Sequence, residues 1–283
     1  MILMSNNQWK CDQNLPAWEA RGEDCSAEAR VDGLARAYRQ IAPDVLGIQE
    51  ASIRMNELLM QRMIAFAHGG ETARYELITG GDTPILYRSD RLLLIESGFF
   101  RYSEDVPGFD GSFNNSGTKS YAYGVFEEEG GRRFAVMTTH LWWKSSNPAS
   151  ADYQAHSDEA RAFQLRQALG RLEEVSRAHA CPGFLMGDLN AVMDSPCLRA
   201  AAEMGWVDAH DLATGRRDET RGHHPCGPAG YRRVERGAFS EAIDHILVKT
   251  SSPVAIGDYL RIDEPWFDCI SDHYPLYLTF EFT

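Results

Sequence analysis

Several short stretches of this 283-residue chain end an apolar run on a side chain that can do chemistry. The clearest is Phe184-Leu-Met-Gly-Asp-Leu-Asn190, where Asp188 and Asn190 follow a glycine. An apolar run of this length predicts a buried strand, and Gly187 lets the backbone leave the sheet edge without a side-chain clash. If strand geometry persists, residues 188 and 190 point the same way and set a carboxylate beside an amide. Taken alone, Asp and Asn are also what a strand-to-turn junction uses. The same arrangement recurs at Asn7, Glu50, His140, Asp244-His245 and Asp272-His273. Strand ends are where a sheet presents side chains to a crevice. Carboxylates at Glu50, Asp188, Asp244 and Asp272, with no cysteine among them, make a hard, oxygen-rich set that suits Mg2+ or Mn2+ better than zinc. His140 and His273 add groups that donate to a phosphate oxygen or move a proton near neutral pH.

The elements that must position these residues follow from hydrophobic period. Residues 1–5, 44–50 and the run that opens at Phe184 read as buried strands. Strands are also predicted near 74–79, 84–88, 91–99, 121–127, 132–139, 242–248, 254–260 and 274–282. Helical spacing covers 26–41, with Ser26 as N-cap and Pro43 as its stop, and 52–67, closed by Gly69-Gly70. A long helix is expected over 152–178 and a short one from about 196. The spans 103–120 and 205–240 read as loops, the first bordering a site. Strands alternating with helices, plus hairpins, predict an α/β chain with mixed sheets and helices outside.

Composition narrows the function. With 43% hydrophobic and 24% charged residues and no linker-like tract, the chain is expected to form one domain over residues 1–283. A net charge of −13 disfavours non-specific binding of nucleic acid but is compatible with a small phosphorylated substrate held through a metal ion. Six scattered cysteines without a C-x-x-C pair suit reduced thiols. The start lacks the basic and long apolar segments of a signal peptide, so a soluble, cytoplasmic protein is expected; a secreted form whose leader has been removed is the alternative.

Asn7, Ile-Gln-Glu50, Thr-Thr-His140, Gly-Asp188-Leu-Asn190, Ile-Asp244-His and Ser-Asp272-His-Tyr-Pro275 stand in the order found in the endonuclease/exonuclease/phosphatase superfamily, which the chain resembles from residue 7 to residue 275. The resemblance implies a four-layer sandwich, two mixed β-sheets face to face with helices outside, and metal-dependent cleavage of a phosphate ester. It implies Glu50 as principal metal ligand beside Asn7 and Asp272. It also implies that Asp188 orients or deprotonates the attacking water, with His273 as rival base, and that Asn190 holds the water or a phosphate oxygen. His140 resembles the phosphate-contacting histidine, and Asp244 the carboxylate that orients His273. Two positions depart from the pattern. Asn6 stands where many relatives carry an aromatic residue, and His245, expected to face away from Asp244, is read as structural.

Around this set, Trp142 and Trp143 are candidates to stack on a sugar or base, and Arg88 is a candidate phosphate contact. Arg161 is a second candidate phosphate contact but is read as solvated charge, and His223-His-Pro-Cys226, which with another thiol would bind a transition metal, lacks a complete ligand set nearby. The expected substrate is a small phosphorylated molecule or lipid head group. A nuclease, which needs a local basic groove, and a silent binding protein with the same fold are the alternatives.

Overall fold

The computed structural model describes residues 1–10, 20, 22, 24–217 and 241–283. Among these residues two mixed sheets lie face to face. The first has seven strands: β1 (Ile2–Asn7), β2 (Val45–Gln49), β3 (Ala65–His68), β4 (Glu71–Ile78), β5 (Ile85–Arg88), β12 (Val254–Arg261) and β13 (Leu276–Phe282), in the order β12-β13-β1-β2-β5-β4-β3. The second has six: β6 (Leu92–Arg101), β7 (Ser120–Glu128), β8 (Arg133–His140), β9 (Gly183–Asp188), β10 (Trp206–Asp208) and β11 (Asp244–Lys249), in the order β10-β11-β9-β8-β7-β6. Each sheet holds one parallel pair near its centre, β1 with β2 and β8 with β9.

Strands at the middle of such a stack are covered on both faces, which is why they read as continuous apolar runs. Leu3, Val45 and Ile85 meet Val136, Phe184 and Ile246 between the sheets. Helices α1 (Ala27–Ile41) and α2 (Ile53–Met63) bury Val31, Leu34 and Met55 on the outer face of the first sheet, against Met4, Leu46 and Ile48. Helices α3 (Ser157–His179) and α4 (Pro196–Glu203) do the same for the second, with Leu165, Leu169 and Leu198 against Val125, Met137 and Leu185. Ser26 and Ser52 cap α1 and α2 by accepting from the amides of Ala29 and Met55. The result is the expected four layers. Among the described residues no helix is long and apolar enough to cross a membrane.

Five local expectations are corrected. The helix expected to run to 67 ends at Met63, and Ala65–His68 becomes β3. Gly69 and Gly70, both at positive φ, form the two-residue turn of the β3–β4 hairpin rather than a helix stop. The helix expected from 152 starts at Ser157, because the chain before it is held by a bridge between Ser145 and Tyr153. The loop expected from 205 opens with β10, whose buried Trp206 pairs opposite Lys249. Residues 188 and 190 do not alternate as in a strand: β9 ends at Asp188, and Asn190 adopts the left-handed conformation at φ 48°.

Candidate active site

The site lies where the two parallel pairs end. Parallel register aligns Asn7 with Gln49, one residue before Glu50, and His140 with Asp188. Antiparallel β11 begins at Asp244, opposite Asp188. Side chains that are far apart in sequence therefore converge because their strands stop at the same level. Two backbone features tighten the approach. A Cβ on Gly187 would lie 2.0 Å from the Thr139 carbonyl oxygen, so only glycine lets β9 sit this close to β8. Glu50 is held at φ 56°, a left-handed conformation that costs a non-glycine residue about 1–3 kcal/mol.

Asn7 binds two of the acids together: its Nδ2 donates to Glu50 Oε1 at 3.1 Å and to Asp188 Oδ2 at 2.9 Å, while its Oδ1 accepts from the Trp9 amide. His140 Nε2 lies 3.7 Å from Glu50 Oε1 and 3.6 Å from Asp188 Oδ2. On the far side, His273 Nδ1 donates to Asp244 Oδ2 at 2.7 Å, and its Nε2 faces Asp188 Oδ2 at 3.8 Å and Asp272 Oδ1 at 3.9 Å. Asp188 Oδ1 accepts from the Asn190 amide at 2.8 Å, and Asn190 Nδ2 donates to the Leu141 carbonyl. Asn6 ties β1 to this corner by donating to the His273 carbonyl at 3.2 Å.

Burial pushes the Glu50 carboxyl up, but the charges of His140 and Lys119 and hydrogen bonds from the Lys10 amide and Asn7 outweigh it and hold it down at about 2. Burial works against the charged form of His273, and the surrounding Asp244, Asp272 and Asp188 overcome it, raising its pKa well above the ordinary histidine value. Lys119 is buried, and this lowers its pKa although Glu50, Asp188 and Asp82 oppose the shift.

All of Asn190, Glu50, His140, Asp188, Asp272 and His273 line one cavity of about 430 Å³. Further groups on its wall stand outside the motifs, three of them beside His140 or Glu50. Asp82 lies 3.3 Å from His140 Nδ1, Lys119 touches His140 Nε2, and Lys10 stands beside Glu50. A signal for Lys119 existed: it precedes β7, whose first residue, Ser120, pairs with His140. The strand-end rule therefore applies equally to the start of an antiparallel neighbour. Asp82 sits in the Gly80-Gly-Asp-Thr turn, where an acid carries no such signal.

Other expected contacts lie elsewhere. Arg88 is buried in an ion pair with Asp90 at 2.5 Å and does not line the cavity, since the acid two residues on satisfies it inside β5's own turn. Trp142 is fully buried against Phe113 and Val106, so it is core. Arg161, expected in solvent, is buried, and its guanidinium donates to backbone carbonyls. His245 behaves as expected, facing Asp208 rather than Asp244. Trp143 lines the cavity and is 42% exposed. The His223–Cys226 stretch lies outside the described residues.

A sequence profile of the endonuclease/exonuclease/phosphatase family matches residues 14–273. The chain belongs to this family. Its members are hydrolases acting on phosphoester bonds. No curated protein matches the chain significantly in sequence. Among solved structures, an endonuclease/exonuclease/phosphatase family protein of Bacteroides thetaiotaomicron is 19% identical with a TM-score of 0.72, covering 100% of this chain and 98% of its own. The mannosyl-6-phosphatase of Bacteroides thetaiotaomicron VPI-5482 is 20% identical with a TM-score of 0.72 and full coverage of both chains. TDP2 of D. rerio, solved with a single-strand DNA product, is 19% identical with a TM-score of 0.67, covering 99% of this chain and 98% of its own. At such identities these likenesses establish the fold.

The donor set fits a hard divalent cation. Glu50, His140 and Asp188 each offer a ligand atom within 4.8 Å of the others, and so do Asp188, Asp244 and His273. Neither group contains sulfur, and Asp244 Oδ1 is buried with no hydrogen-bond partner among the described residues. The two groups share Asp188. The expected ligand Asp272 stands on the cavity wall beside His273, outside both groups, and Asn7 turns its amide nitrogen toward the carboxylates.

Proposed function

We propose that the protein is a Mg2+- or Mn2+-dependent phosphoesterase that hydrolyses an ester of a small or lipid-linked phosphate with an activated water. The observation that carries this reading is the meeting of three carboxylates and two imidazoles around Asp188, within the 4.8 Å reach of two ligand groups. Glu50 and Asp188, with Asp272 close by, would hold the ion. Bound there, it would polarise the phosphoryl oxygens and make a water more acidic.

The chain's own groups supply the rest. Asn7 keeps Glu50 and Asp188 side by side, which spares the site the cost of bringing two like charges together as substrate arrives. Asp188 takes the proton of the attacking water. Its Oδ1 is fixed by the Asn190 amide, and Asn190 turns from the strand to face the same cavity. Asp244 holds Nδ1–H of His273 and stabilises an imidazolium, so His273 serves as a proton donor toward the phosphoryl oxygens, opposite His140 and Lys119. His140 is oriented by Asp82.

A small substrate is favoured by the net charge of −13 and by acids lining the cavity, both of which oppose a polyanion. The mannosyl-6-phosphatase likeness is consistent with it. The test is a panel of hexose phosphates, inositol phosphates, nucleotides, phospholipid head groups, plasmid, single-stranded DNA and RNA, each with Mg2+ or Mn2+ and with chelator. Metal-dependent release of phosphate from a small ester is expected. Cleavage of nucleic acid alone would replace this reading by a nuclease, and no turnover with either ion would leave a binding protein.

A further inference from the structure

Adjacent tryptophans have opposite fates. Trp142 is fully buried, its ring 5.8 Å from that of Phe113, and its amide donates to Gln164 Oε1 at 2.9 Å. Trp143 stays 42% exposed and lines the catalytic cavity. Its backbone is held firmly from both sides. Arg161, only 4% exposed, donates Nη1 to the carbonyl of Trp142 at 3.0 Å and to that of Lys144 at 2.6 Å, and pairs through Nη2 with Asp158. A buried guanidinium is costly to desolvate. Here it fixes the one residue between those carbonyls, whose indole is turned outward rather than into the core. The segment then folds back: the Ser145 amide donates to the Asp152 carbonyl at 3.1 Å and the Gln154 amide to the Ser145 carbonyl at 2.9 Å. That return brings Asp152 to the same rim, where it too lines the cavity. Its carboxylate makes no ion pair among the described residues.

We propose that Trp143 and Asp152 form the leaving-group subsite, a preorganised platform for the ring of a hexose phosphate monoester. The proposal rests on the phosphoesterase reading and names its substrate class. A hexose has an apolar C–H face that lies on an indole and hydroxyl donors that a carboxylate accepts. The cavity, at about 430 Å³, is toward the small end of ligand pockets and suits one ring with its phosphate. A base would stack on Trp143 as well, but a nucleic-acid strand needs a cationic track for its phosphates. At this rim the cations stand singly, Lys10 on the cavity wall and Lys144 with its Nζ 5.7 Å from the Trp143 ring centroid, among the carboxylates of Asp152, Glu50 and Asp272, and Lys119 is engaged with His140. In the reaction the water oxygen bonds to phosphorus and the bond from phosphorus to the sugar oxygen breaks. The sugar oxygen leaves with a proton as a free hydroxyl, and inorganic phosphate is the other product.

The test uses the full chain with Mg2+ or Mn2+ and compares kcat/KM for a hexose 6-phosphate with kcat/KM for methyl phosphate, which has no ring. Trp143→Ala is expected to lower this ratio about tenfold and Trp143→Phe to recover most of it. Asp152→Ala is expected to lower it as well. In parallel, tryptophan fluorescence is titrated with free hexose at millimolar concentration. Quenching in the wild type that disappears in Trp143→Phe supports the platform without relying on turnover. An unchanged ratio in Trp143→Ala, or a wild-type preference for nucleoside monophosphates over hexose phosphates, overturns the proposal. If no phosphate ester is hydrolysed at all, the phosphoesterase reading fails, and the hexose titration still decides the platform: no quenching refutes it.

Discussion

Behind the cavity, His245 donates from both ring nitrogens, Nδ1 to Asp208 Oδ2 and Nε2 to the Ala191 carbonyl, each at 2.8 Å. Two acceptors on one imidazole require the doubly protonated, charged ring. His245 is fully buried and Asp208 nearly so. Burial disfavours the charged imidazole, and the Asp208 hydrogen bond and charge outweigh it to raise the pKa of His245. Burial likewise pushes the Asp208 carboxyl up, and the His245 bond and charge hold it below its ordinary value. Asp208→Asn keeps the shape and removes the charge. His245 then sheds its proton, its Nε2–H stays on the Ala191 carbonyl and its Nδ1 accepts from the new amide, so the loss is that of the charge pair. Breaking a buried pair costs about 3–5 kcal/mol, and the escape by deprotonation sets the expectation near the lower end, about 3 kcal/mol. With about 2.1 cal/mol/K of unfolding entropy per residue, 283 residues give about 0.6 kcal/mol/K, so Tm falls by roughly 5 °C. The sign of the pH dependence follows from the two shifts. The raised His245 pKa contributes stability that is fully present below about pH 6.5 and lost as pH rises through the folded value. The lowered Asp208 pKa contributes stability present above about pH 4 and lost as pH falls through its folded value. Thermal melts of wild type and variant from pH 4 to pH 9 should therefore differ most between about pH 4 and 6.5, the gap closing at higher pH. A gap of constant size across this range would refute a charged pair.

The remaining predictions address the site and its frame. Glu50→Gln and Asp188→Asn should each lower turnover by about 10²–10⁴ while circular dichroism and Tm stay close to wild type, and an unchanged rate in folded Asp188→Asn would remove that residue from the mechanism. Gly187→Ala puts a methyl group 2.0 Å from the Thr139 carbonyl and must separate β8 from β9. Both Tm and activity should fall, and a variant active at the wild-type rate would show that the His140–Asp188 register tolerates the shift. Trp142→Ala should cost about 3–5 kcal/mol in denaturant unfolding, as expected for a large aromatic removed from a packed cluster. Trp143→Ala, one residue on, should cost well under half as much, and equal losses would contradict their opposite burial.

What could be read from the chain divides along one physical line. Asn7, Glu50, His140 and Asp188 were legible because each closes an apolar run, and a strand buried on both faces has only its end free to carry a polar side chain. Their meeting is implied by the family resemblance and not by period, since it depends on two parallel pairs stopping at one level in facing sheets. Asp82 lies in a turn, where charge is common and carries no period, and Lys119 is marked only by standing at the start of β7, opposite the strand end at His140. The tryptophan pair marks the sharpest limit. Adjacent identical residues give composition and periodicity nothing to distinguish, so Trp142 and Trp143 were equally eligible for the core or the cavity. Their fates are decided by partners far along the chain: Phe113 and Gln164 draw Trp142 inward, and Arg161 fixes the carbonyls on either side of Trp143. Arg161 itself reads as solvated charge because nothing local reveals that, besides the Asp158 carboxylate, it donates to two backbone oxygens of the loop it faces. A family motif is thus found at strand ends, whereas the substrate-facing rim depends on long-range hydrogen bonds that no short motif contains. Replacing Arg161 should therefore loosen the rim while leaving the Glu50–Asp188 centre in place, so that selectivity between phosphate esters falls before metal-dependent turnover does.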